Sequence, residues 1–281
     1  MTGNNIVVYT AIFDDYDELL QPAVTPDNVD FVCFTDDEST ARGVWEARLI
    51  SDYDLSPKLM SGMVKVLAHR FFPEYEYSVW VDGNVHVIGD VRELIRTSLE
   101  QANMAVPPHP DRNCVYDEAD ACIELGLAEP KAVRAQMQRY RAQDFLEDYG
   151  LSETRVLVRR HNQGDVVETM ETWWEEYQKG ADRDQLSFEF AAYKCELNYV
   201  PLHLDYESHS GYFHIYHYYH KPSGLKGDIW GFLLRGFAEN SGNKARFYTA
   251  IFNILVFANN VAEGFYHRTL LGNVAEVDQE R

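Results

Sequence analysis

The sequence is poor in cysteine and in basic residues, and its apolar stretches are short. Its four cysteines form no Cys-x-x-Cys pair, so they predict neither a zinc site nor a disulfide framework. Acidic residues outnumber basic residues by 45 to 25, and the resulting formal charge of −20 argues against nucleic acid as a partner. The longest apolar stretch, residues 247–258, is too short to span a bilayer, which needs about 20 residues. We expect a soluble globular protein, with that stretch as a core helix or, alternatively, as an interfacial helix in peripheral contact with a membrane.

The N-terminus and the acidic composition bear on where the protein works. The first residues lead directly into a strand-like run at residues 6–9, without a basic region, an apolar signal core or a cleavage site. The sequence therefore predicts a cytoplasmic protein. The acidic excess suits concentrated salt, where repulsion between surface charges is screened. A halophilic source is our first interpretation, and an ordinary acidic cytosolic protein is the alternative.

The first part of the chain has the pattern of an α/β nucleotide-binding fold. Apolar runs predict strands at residues 6–9, 30–36, 45–50, 77–81 and 154–159. Ser56 followed by Pro57 predicts the start of a helix that ends before Pro73. Further helices are predicted over residues 132–149, 166–178 and 184–195. We expect a catalytic domain over residues 1–210, followed by an aromatic-rich helical extension over residues 211–281.

The triplet Asp82-Gly83-Asn84 stands where the apolar run at residues 77–81 stops. In open α/β sheets, ligands collect at the carboxyl ends of the strands. A carboxylate and a short polar side chain at such an end could hold a divalent cation against a diphosphate. Because Asp-Gly is also a turn signal, a plain turn is the alternative interpretation.

Basic residues gather on the predicted helix that precedes this triplet. They are Lys58, Lys65, His69 and Arg70, in a chain that otherwise has little lysine. Lysine or arginine near a diphosphate can stabilise the negative charge that develops on the diphosphate when it departs as a leaving group. The cluster therefore suggests an anionic ligand. The alternative is that these side chains pair only with surface carboxylates.

Asp184 and Gln185 begin a predicted helix after a polar loop. In the functional interpretation, Asp184 accepts hydrogen bonds from an acceptor hydroxyl while Gln185 faces the reacting centre, and either could stabilise an oxocarbenium-like sugar. In the alternative interpretation, Asp184 only caps the helix.

Two polar segments are candidates for acceptor binding, because loops near a sheet edge often carry recognition groups. The first contains His109, Arg112 and Glu118, and the second begins at Arg159 after a predicted strand. In both segments, simple salt bridging is the alternative.

Histidines cluster near the C-terminal part of the chain. His214, His217 and His220 are spaced three apart among aromatic residues, which could place them on one helical face. They could bind zinc, one of them could complete a coordination shell begun by Asp82, or they could form an aromatic core stripe.

Together these motifs resemble those of a family of glycosyltransferase-like domains found in bacteria, archaea and plants, whose plant members are associated with cell-wall polysaccharide. The resemblance covers about residues 7–194. It depends on five ordered motifs, namely Tyr9-Thr10-Ala11-Ile12-Phe13, Pro57-Lys58 with Lys65 and His69, Tyr77 to Asn84, His109-Pro110 with Arg112, and Arg183 to Phe188.

The resemblance implies a GT-A fold, which is a mixed sheet flanked by helices with a nucleotide-sugar at the carboxyl edge. Asp82 then stands in a metal-binding Asp-x-Asp motif whose second carboxylate is replaced by Asn84, so that one charge is lost. The segment from His220 to Lys226 is distantly similar to the His-x-x-Gly-x-x-Lys-Pro-Trp motif of family-eight glycosyltransferases. That likeness implies metal binding by His220, diphosphate binding by Lys226, and retention of configuration.

The resulting hypothesis is transfer of a sugar from a nucleoside diphosphate sugar to a glycan or lipid-linked acceptor, assisted by Mn²⁺ or Mg²⁺. The implied donor contacts are Tyr9, Thr10, Ala11, Asp36, Lys58, Lys65 and Lys226. Two alternatives stay open. One is a metal-dependent hydrolase that uses the histidine cluster, and the other is a non-catalytic nucleotide-sugar-binding module.

Overall fold

The computed structural model describes residues 5–50, 54–204 and 211–215. These residues form nine strands, which are β1 (Ile6–Ile12), β2 (Val29–Thr35), β3 (Trp45–Leu49), β4 (Tyr77–Val81), β5 (Val85–Val87), β6 (Met104–Val106), β7 (Val156–Arg159), β8 (Val200–Pro201) and β9 (Phe213–Ile215). They also form seven α-helices, which are α1 (Pro57–Val66), α2 (Ala68–Phe71), α3 (Val91–Ser98), α4 (Val115–Glu124), α5 (Pro130–Arg141), α6 (Gly164–Lys179) and α7 (Gln185–Lys194).

Seven of these strands form one mixed sheet in the order β3-β2-β1-β4-β7-β6-β8. Strands β1 to β4 are parallel to one another, whereas β7 runs antiparallel to both β4 and β6. Strands β5 and β9 form a separate antiparallel pair. The carboxyl ends of β1, β2 and β4 therefore meet at one edge of the sheet, beside the start of β7.

Both faces of the sheet are covered, which explains why its strands read as continuous apolar runs. Successive residues of β1 alternate between two cores, as the strand period requires. Val7 and Tyr9 pack with residues of α1, α6 and α7 on one face, while Ile6 and Val8 pack with residues of α3 on the other. A smaller core joins α4 and α5 to α7. The predicted mixed sheet flanked by helices is confirmed.

Several local predictions are confirmed. The strand predicted at residues 77–81 is β4. Ser56 caps α1 as expected, because its side chain accepts a hydrogen bond from the Leu59 backbone, and Pro57 occupies the first turn. All four cysteines are free.

Other local predictions were wrong. Strand β1 continues beyond the predicted residues 6–9 to Ile12, because residues 10–12 pair with β2, so Thr10 and Ala11 belong to the strand. The helix predicted to run on from residue 57 breaks at Leu67, and Val115 to Glu118 begin α4 where a loop was expected. Phe213–Ile215, at the start of the predicted helical extension, forms a strand that pairs with β5.

Among the described residues, no helix has the length and apolar character needed to cross a membrane.

Candidate active site

Four side chains converge at the carboxyl edge of the sheet, beside the end of β4. Because β4 and β7 are antiparallel neighbours, the residues that follow β4 lie against those that precede β7, and the Asp82 backbone N–H donates to the Arg155 carbonyl at 2.9 Å. This pairing brings Asp82 close to Thr154. Helix α1 contributes Lys65, and the start of α7 contributes Asp184. We call Lys65, Asp82, Thr154 and Asp184 the acid–lysine cluster.

Lys65 lies at the centre of the acid–lysine cluster, with only 7% of its side chain exposed. Its Nζ lies 2.5 Å from Asp184 Oδ2, 3.2 Å from Thr154 Oγ1 and 3.3 Å from Asp82 Oδ1. An ammonium group has three protons, so these three acceptors can use all of them. Lys65 thus connects β4, the segment before β7 and helix α7.

Asp184 does not cap the helix that it precedes. Its backbone is already helical, and its side chain makes no capping hydrogen bond. The carboxylate instead accepts from Lys65 and, at 2.8 Å, from the Thr154 hydroxyl, and 22% of the side chain is exposed. Burial opposes ionisation of Asp184, but Lys65, Arg183 and Thr154 outweigh it and hold the pKa of this carboxyl well below its usual range. The capping alternative is therefore wrong, and Asp184 is a partly exposed carboxylate that stays ionised.

Asp82 forms a turn with its backbone and also presents its carboxylate at the sheet edge, so features of both the turn and the ligand-site interpretation are present. Its carbonyl accepts from the Val85 backbone N–H at 2.9 Å, which forms a turn. Its Oδ1 accepts from the Trp80 indole at 2.7 Å and from Lys65, and one third of the side chain is exposed. The carboxylate therefore faces the site while the backbone turns the chain.

Asp17, which was not among the predicted site residues, lies beside this turn. A Cβ added to Gly83 would meet Asp17 Oδ2 at 2.5 Å and Asp17 Cβ at 2.9 Å, so the absence of a side chain at residue 83 permits the approach. Burial raises the pKa of Asp17 to about 7, and the charge of Asp82 contributes to this increase. The ends of β1 and β4 thus bring two carboxyl groups close together.

Replacing Gly83 by alanine should destabilise the protein by about 1–3 kcal/mol, because the Asp17 side chain would have to move from a close contact. Gly164→Ala is a matched control, since a Cβ at Gly164 meets no atom within 4 Å. We expect that variant to be neutral or to stabilise by up to about 1 kcal/mol. Urea unfolding of both variants measures the difference, and equal stabilities would contradict this description of the turn.

The turn that leads from β1 to Asp17 has an unusual backbone. Asp14 and Asp15 have φ values of 56° and 50°, and the Tyr16 N–H donates to the Phe13 carbonyl at 3.2 Å. The Asp36 carboxylate accepts from the Asp14 backbone N–H at 3.0 and 3.2 Å. Asp36 was predicted to contact the donor, and in the structure it fixes this turn. Tyr16 is 61% exposed at the same edge.

Three other predicted contact residues lie in the core. Tyr9 and Arg159 are fully buried and Thr10 nearly so, whereas Ala11 is partly buried. The Tyr9 hydroxyl donates to the Lys65 carbonyl at 2.8 Å. Arg159 donates to the carbonyls of Lys65 and Val66 at 2.9 and 3.2 Å and to the Tyr9 hydroxyl. These bonds satisfy the last backbone carbonyls of α1, the helix that contains Lys65. Tyr9 and Arg159 therefore act as positioning residues beneath the cluster.

The predicted acceptor loop is internally bonded, as its salt-bridge alternative proposed. Buried Glu118 accepts from Arg112 Nε at 2.6 Å, and its Oε2 lies 3.7 Å from His109 Nε2. The His109 backbone N–H donates to the Leu151 carbonyl at 2.8 Å. This bond ties the loop to the segment that carries Thr154.

The remaining predicted residues lie at or beyond the border of this site. Lys58 is half exposed and pairs with Asp182 at 3.4 Å. The Gln185 amide donates to the Ser152 carbonyl at 3.2 Å. His217, His220 and Lys226 lie outside the described residues, while His214 lies on β9 opposite His86.

The side chains near Asp82 have the donor type that a hard cation prefers. Within the described ranges, no three His, Cys, Asp or Glu side chains are placed to share a metal ion. Mg²⁺ and Mn²⁺ are often held by one or two carboxylates together with substrate phosphates. Asp82, with Asp17 beside it, fits that arrangement. Metal binding by Asp82, Asn84 and His220 stays a prediction.

Comparison with known proteins gives a family match and two plant relatives. Residues 1–212 match the family described as TOD1/MUCI70, glycosyltransferase-like domain. A probable hexosyltransferase, MUCI70 of Arabidopsis thaliana, is 26% identical over an alignment 212 residues long that covers 65% of this chain and 36% of that protein. Alkaline ceramidase TOD1 of Arabidopsis thaliana is 27% identical over an alignment 222 residues long that covers 66% of this chain and 47% of that protein. The chain thus spans less than half the length of either plant protein.

Comparison with solved structures gives two partial alignments. The apo structure of the WbbM bifunctional glycosyltransferase aligns with a TM-score of 0.43 at 12% identity, and the alignment covers 72% of this chain and 39% of that one. Apo mouse xyloside xylosyltransferase 1 aligns with a TM-score of 0.41 at 10% identity, covering 71% of this chain and 85% of that one.

Proposed function

The chain belongs to the TOD1/MUCI70 glycosyltransferase-like family, and we propose that it transfers a sugar from a nucleoside diphosphate sugar to a hydroxyl group of a glycan or lipid-linked acceptor. The observation that carries this proposal is the acid–lysine cluster. Its members lie at the carboxyl edge of the sheet, where α/β folds bind their ligands. Asp82 and Asp184 are each partly exposed there, while Lys65 is buried between them.

In the proposed reaction, the bond between the anomeric carbon and the diphosphate oxygen breaks, and a bond from that carbon to the acceptor oxygen forms. Positive charge develops on the sugar and negative charge on the leaving diphosphate. Asp82 and Asn84, with Asp17 nearby, would hold a divalent cation, which when bound neutralises charge on the diphosphate.

Asp184 suits an electrostatic role better than proton transfer. A carboxyl group whose pKa lies well below its usual range is a weak base near neutral pH. As a permanent anion, it can stabilise positive charge on the sugar or accept a hydrogen bond from the acceptor hydroxyl. Lys65 and Thr154 fix its orientation through the two hydrogen bonds at Oδ2.

Nucleotide binding provides the first test. Thermal stabilisation would be measured with UDP, GDP, ADP and CDP and their sugars, with and without Mn²⁺, at low and high salt. We expect the nucleotides of one base to raise the melting temperature of the wild type, because bound ligand adds to the free energy of unfolding. The increase in melting temperature should be larger in Mn²⁺. In Asp82→Ala, the Mn²⁺-dependent part of the shift should disappear.

The same experiment separates the other outcomes. A metal-dependent shift that persists in Asp82→Ala would contradict the role of Asp82. Donor binding without turnover on any acceptor would support a non-catalytic nucleotide-sugar-binding module.

A hydrolase is the second candidate, because one relative is named an alkaline ceramidase. Ceramidases cleave an amide, so this candidate predicts release of a fatty acid from ceramide without any nucleotide. Hydrolysis of ceramide in the absence of nucleotide binding would make it the better description. Its proposed metal ligands, His214, His217 and His220, include only one described residue.

A further inference from the structure

Helix α5 differs in charge from the rest of this acidic protein. Residues Pro130–Arg141 contain no aspartate or glutamate, whereas the neighbouring helices α4 and α6 are both rich in acidic residues. The outward face of α5 carries Lys131, Arg134 and Arg141, all of which are exposed. Because a helix rises about 1.5 Å per residue, these three cations form a row about 15 Å long on one side of α5.

The cations of this row have no carboxylate partner among the described residues. The ion pairs in that part of the chain include neither Lys131 nor Arg134 nor Arg141. Glu129 precedes the helix, but its carboxylate caps α5 by accepting from the Ala132 backbone N–H at 2.7 Å. Lys131 also lies in the first turn, where the helix dipole opposes a cation. Neither ion pairing nor the helix dipole therefore accounts for Lys131 and Arg134.

Exposed leucine side chains lie at both ends of this row. Leu125 and Leu127 flank Gly126, which ends α4 with a φ of 66°, and they are 68% and 46% exposed. The residue after such a glycine often packs on the helix that has just ended, yet almost half of Leu127 stays exposed. Leu146, beyond the C-terminal end of α5, is 57% exposed. We call the following residues the α5 surface: Leu125, Leu127, Lys131, Arg134, Arg141 and Leu146.

The C-terminal end of the α5 surface adjoins the predicted acceptor loop. The guanidinium carbon of Arg141 lies 4.2 Å from the centroid of the Tyr116 ring in α4. The Tyr116 hydroxyl donates to the Phe145 carbonyl at 3.0 Å, which ties the chain after α5 to α4. Tyr116 lies in the chain between Arg112 and Glu118, the ion pair of the acceptor loop. A substrate held at the α5 surface would therefore lie beside that loop.

We propose that the α5 surface binds an anionic lipid bilayer, on which the protein meets a lipid-linked acceptor. The choice of acceptor rests on the proposed glycosyltransferase function. Lysine and arginine near an anionic membrane strengthen binding, and leucine side chains enter the boundary between headgroups and acyl chains. An acidic glycan would use the cations alone, because it offers no apolar phase to the leucines. The formal charge of −20 opposes the contact only weakly, since charges farther away than a Debye length of about 8–10 Å are screened.

Vesicle flotation of the whole chain tests the proposal, with phosphatidylcholine alone and with equal parts of phosphatidylcholine and phosphatidylglycerol. We expect the wild type to float only with the anionic vesicles and to be released at high salt. Replacing Lys131, Arg134 and Arg141 together by glutamine should weaken binding about a hundredfold, the effect of three basic residues near an anionic surface. Leu125→Ser with Leu127→Ser should weaken it about tenfold, because less apolar area leaves water.

Two control variants match these changes elsewhere on the surface. Replacing Arg42, Arg96 and Lys194 by glutamine removes the same amount of charge from other exposed positions. Val44→Ser with Leu49→Ser removes two apolar side chains that are 47% and 56% exposed at β3. Both controls should float like the wild type, and thermal melting verifies that every variant is folded.

The possible outcomes separate the occupants of the α5 surface. If the wild type binds neither kind of vesicle, or if the α5 variants float like their controls, the proposal is wrong. Binding to dextran sulfate without binding to vesicles would assign the α5 surface to an acidic glycan and would also overturn the proposal. Flotation needs no nucleotide, so it is independent of the nucleotide-binding test. If no nucleotide binds but flotation depends on the α5 surface, the membrane contact is retained and the proposed sugar transfer fails.

Discussion

Replacing Lys65 by methionine should destabilise the protein by about 3–5 kcal/mol at neutral pH, the largest stability effect that we expect at this site. Methionine keeps the approximate volume of the side chain but removes the charge between Asp82 and Asp184. Two carboxylates then remain in a poorly hydrated site without their shared cation. Urea unfolding at pH 7 measures the loss.

The pH dependence of that loss identifies its cause. In the wild type, the pKa of Asp184 is lower in the folded than in the unfolded protein, so its contribution is present above the unfolded value of about 4. The contribution is lost as the pH falls from about 5 through the folded pKa. In Lys65→Met, Asp184 loses the cation that lowers its pKa, so the difference in stability between variant and wild type should shrink on acidification.

Lys58→Met is the matched control for this experiment. Lys58 lies on the same helix, but it is half exposed and pairs with a half-exposed aspartate. Exposed ion pairs contribute about 0–1 kcal/mol, so this variant should stay within that range. A similar loss in both lysine variants, or a loss in Lys65→Met that does not depend on pH, would contradict the assigned role of Lys65.

Replacing Asp184 by asparagine should lower the rate of sugar transfer about 10²- to 10³-fold, which is the usual effect of removing one group that stabilises charge in a transition state. Asparagine keeps the shape of the side chain and can still accept a hydrogen bond from Thr154. It loses the negative charge that we propose stabilises the reacting sugar. Because the interaction is expected chiefly in the transition state, kcat should fall much more than KM changes.

Asp182→Asn is the control, since Asp182 lies two residues away and pairs with Lys58 outside the cluster. That variant should keep kcat within about twofold of the wild type, as expected for a residue that contributes little to transition-state stabilisation. Thr154→Val should cause an intermediate loss, because it removes one of the two bonds that orient Asp184. Unchanged kcat in Asp184→Asn would exclude a catalytic role for this carboxylate.

The sequence predicted the central strand and the helix start well because local rules determine both. The apolar run at residues 77–81 is buried on both faces, and Ser56 with Pro57 forms a local cap. Short strands such as β5 and β6 contain too few residues to show a recognisable apolar pattern. Strands β8 and β9 depend on pairing with partners that are distant in the sequence.

The individual members of the site were harder to predict than its location. Lys65, Asp82 and Asp184 were all among the predicted residues, but their mutual contacts were not. Lys65 meets Thr154 and Asp184 across 89 and 119 residues of chain, and no local pattern encodes such contacts. Thr154 was therefore missed as a site residue. Asp17 had one usable signal, since it follows β1, whose carboxyl end lies beside that of β4.

Arg159 shows the opposite error. An arginine at the end of an apolar strand suggested a ligand contact, yet it is buried against the C-terminal carbonyls of α1. Carbonyls at the end of a helix attract a cation, and this attraction depends on how the helix packs on the sheet. That packing is a tertiary feature, which the residue types alone do not reveal.

The most direct test of the central claim is mass spectrometry of acceptors after incubation with UDP- and GDP-sugars in Mn²⁺, over a range of salt concentrations. Oligosaccharide and lipid-linked acceptors would be compared, with the Asp184→Asn variant beside the wild type. The account predicts that one acceptor gains the mass of one sugar residue, that an equal amount of nucleoside diphosphate is released, and that the variant forms far less of both. Ceramide hydrolysis by the wild type, with no nucleotide sugar consumed under any of these conditions, would contradict it.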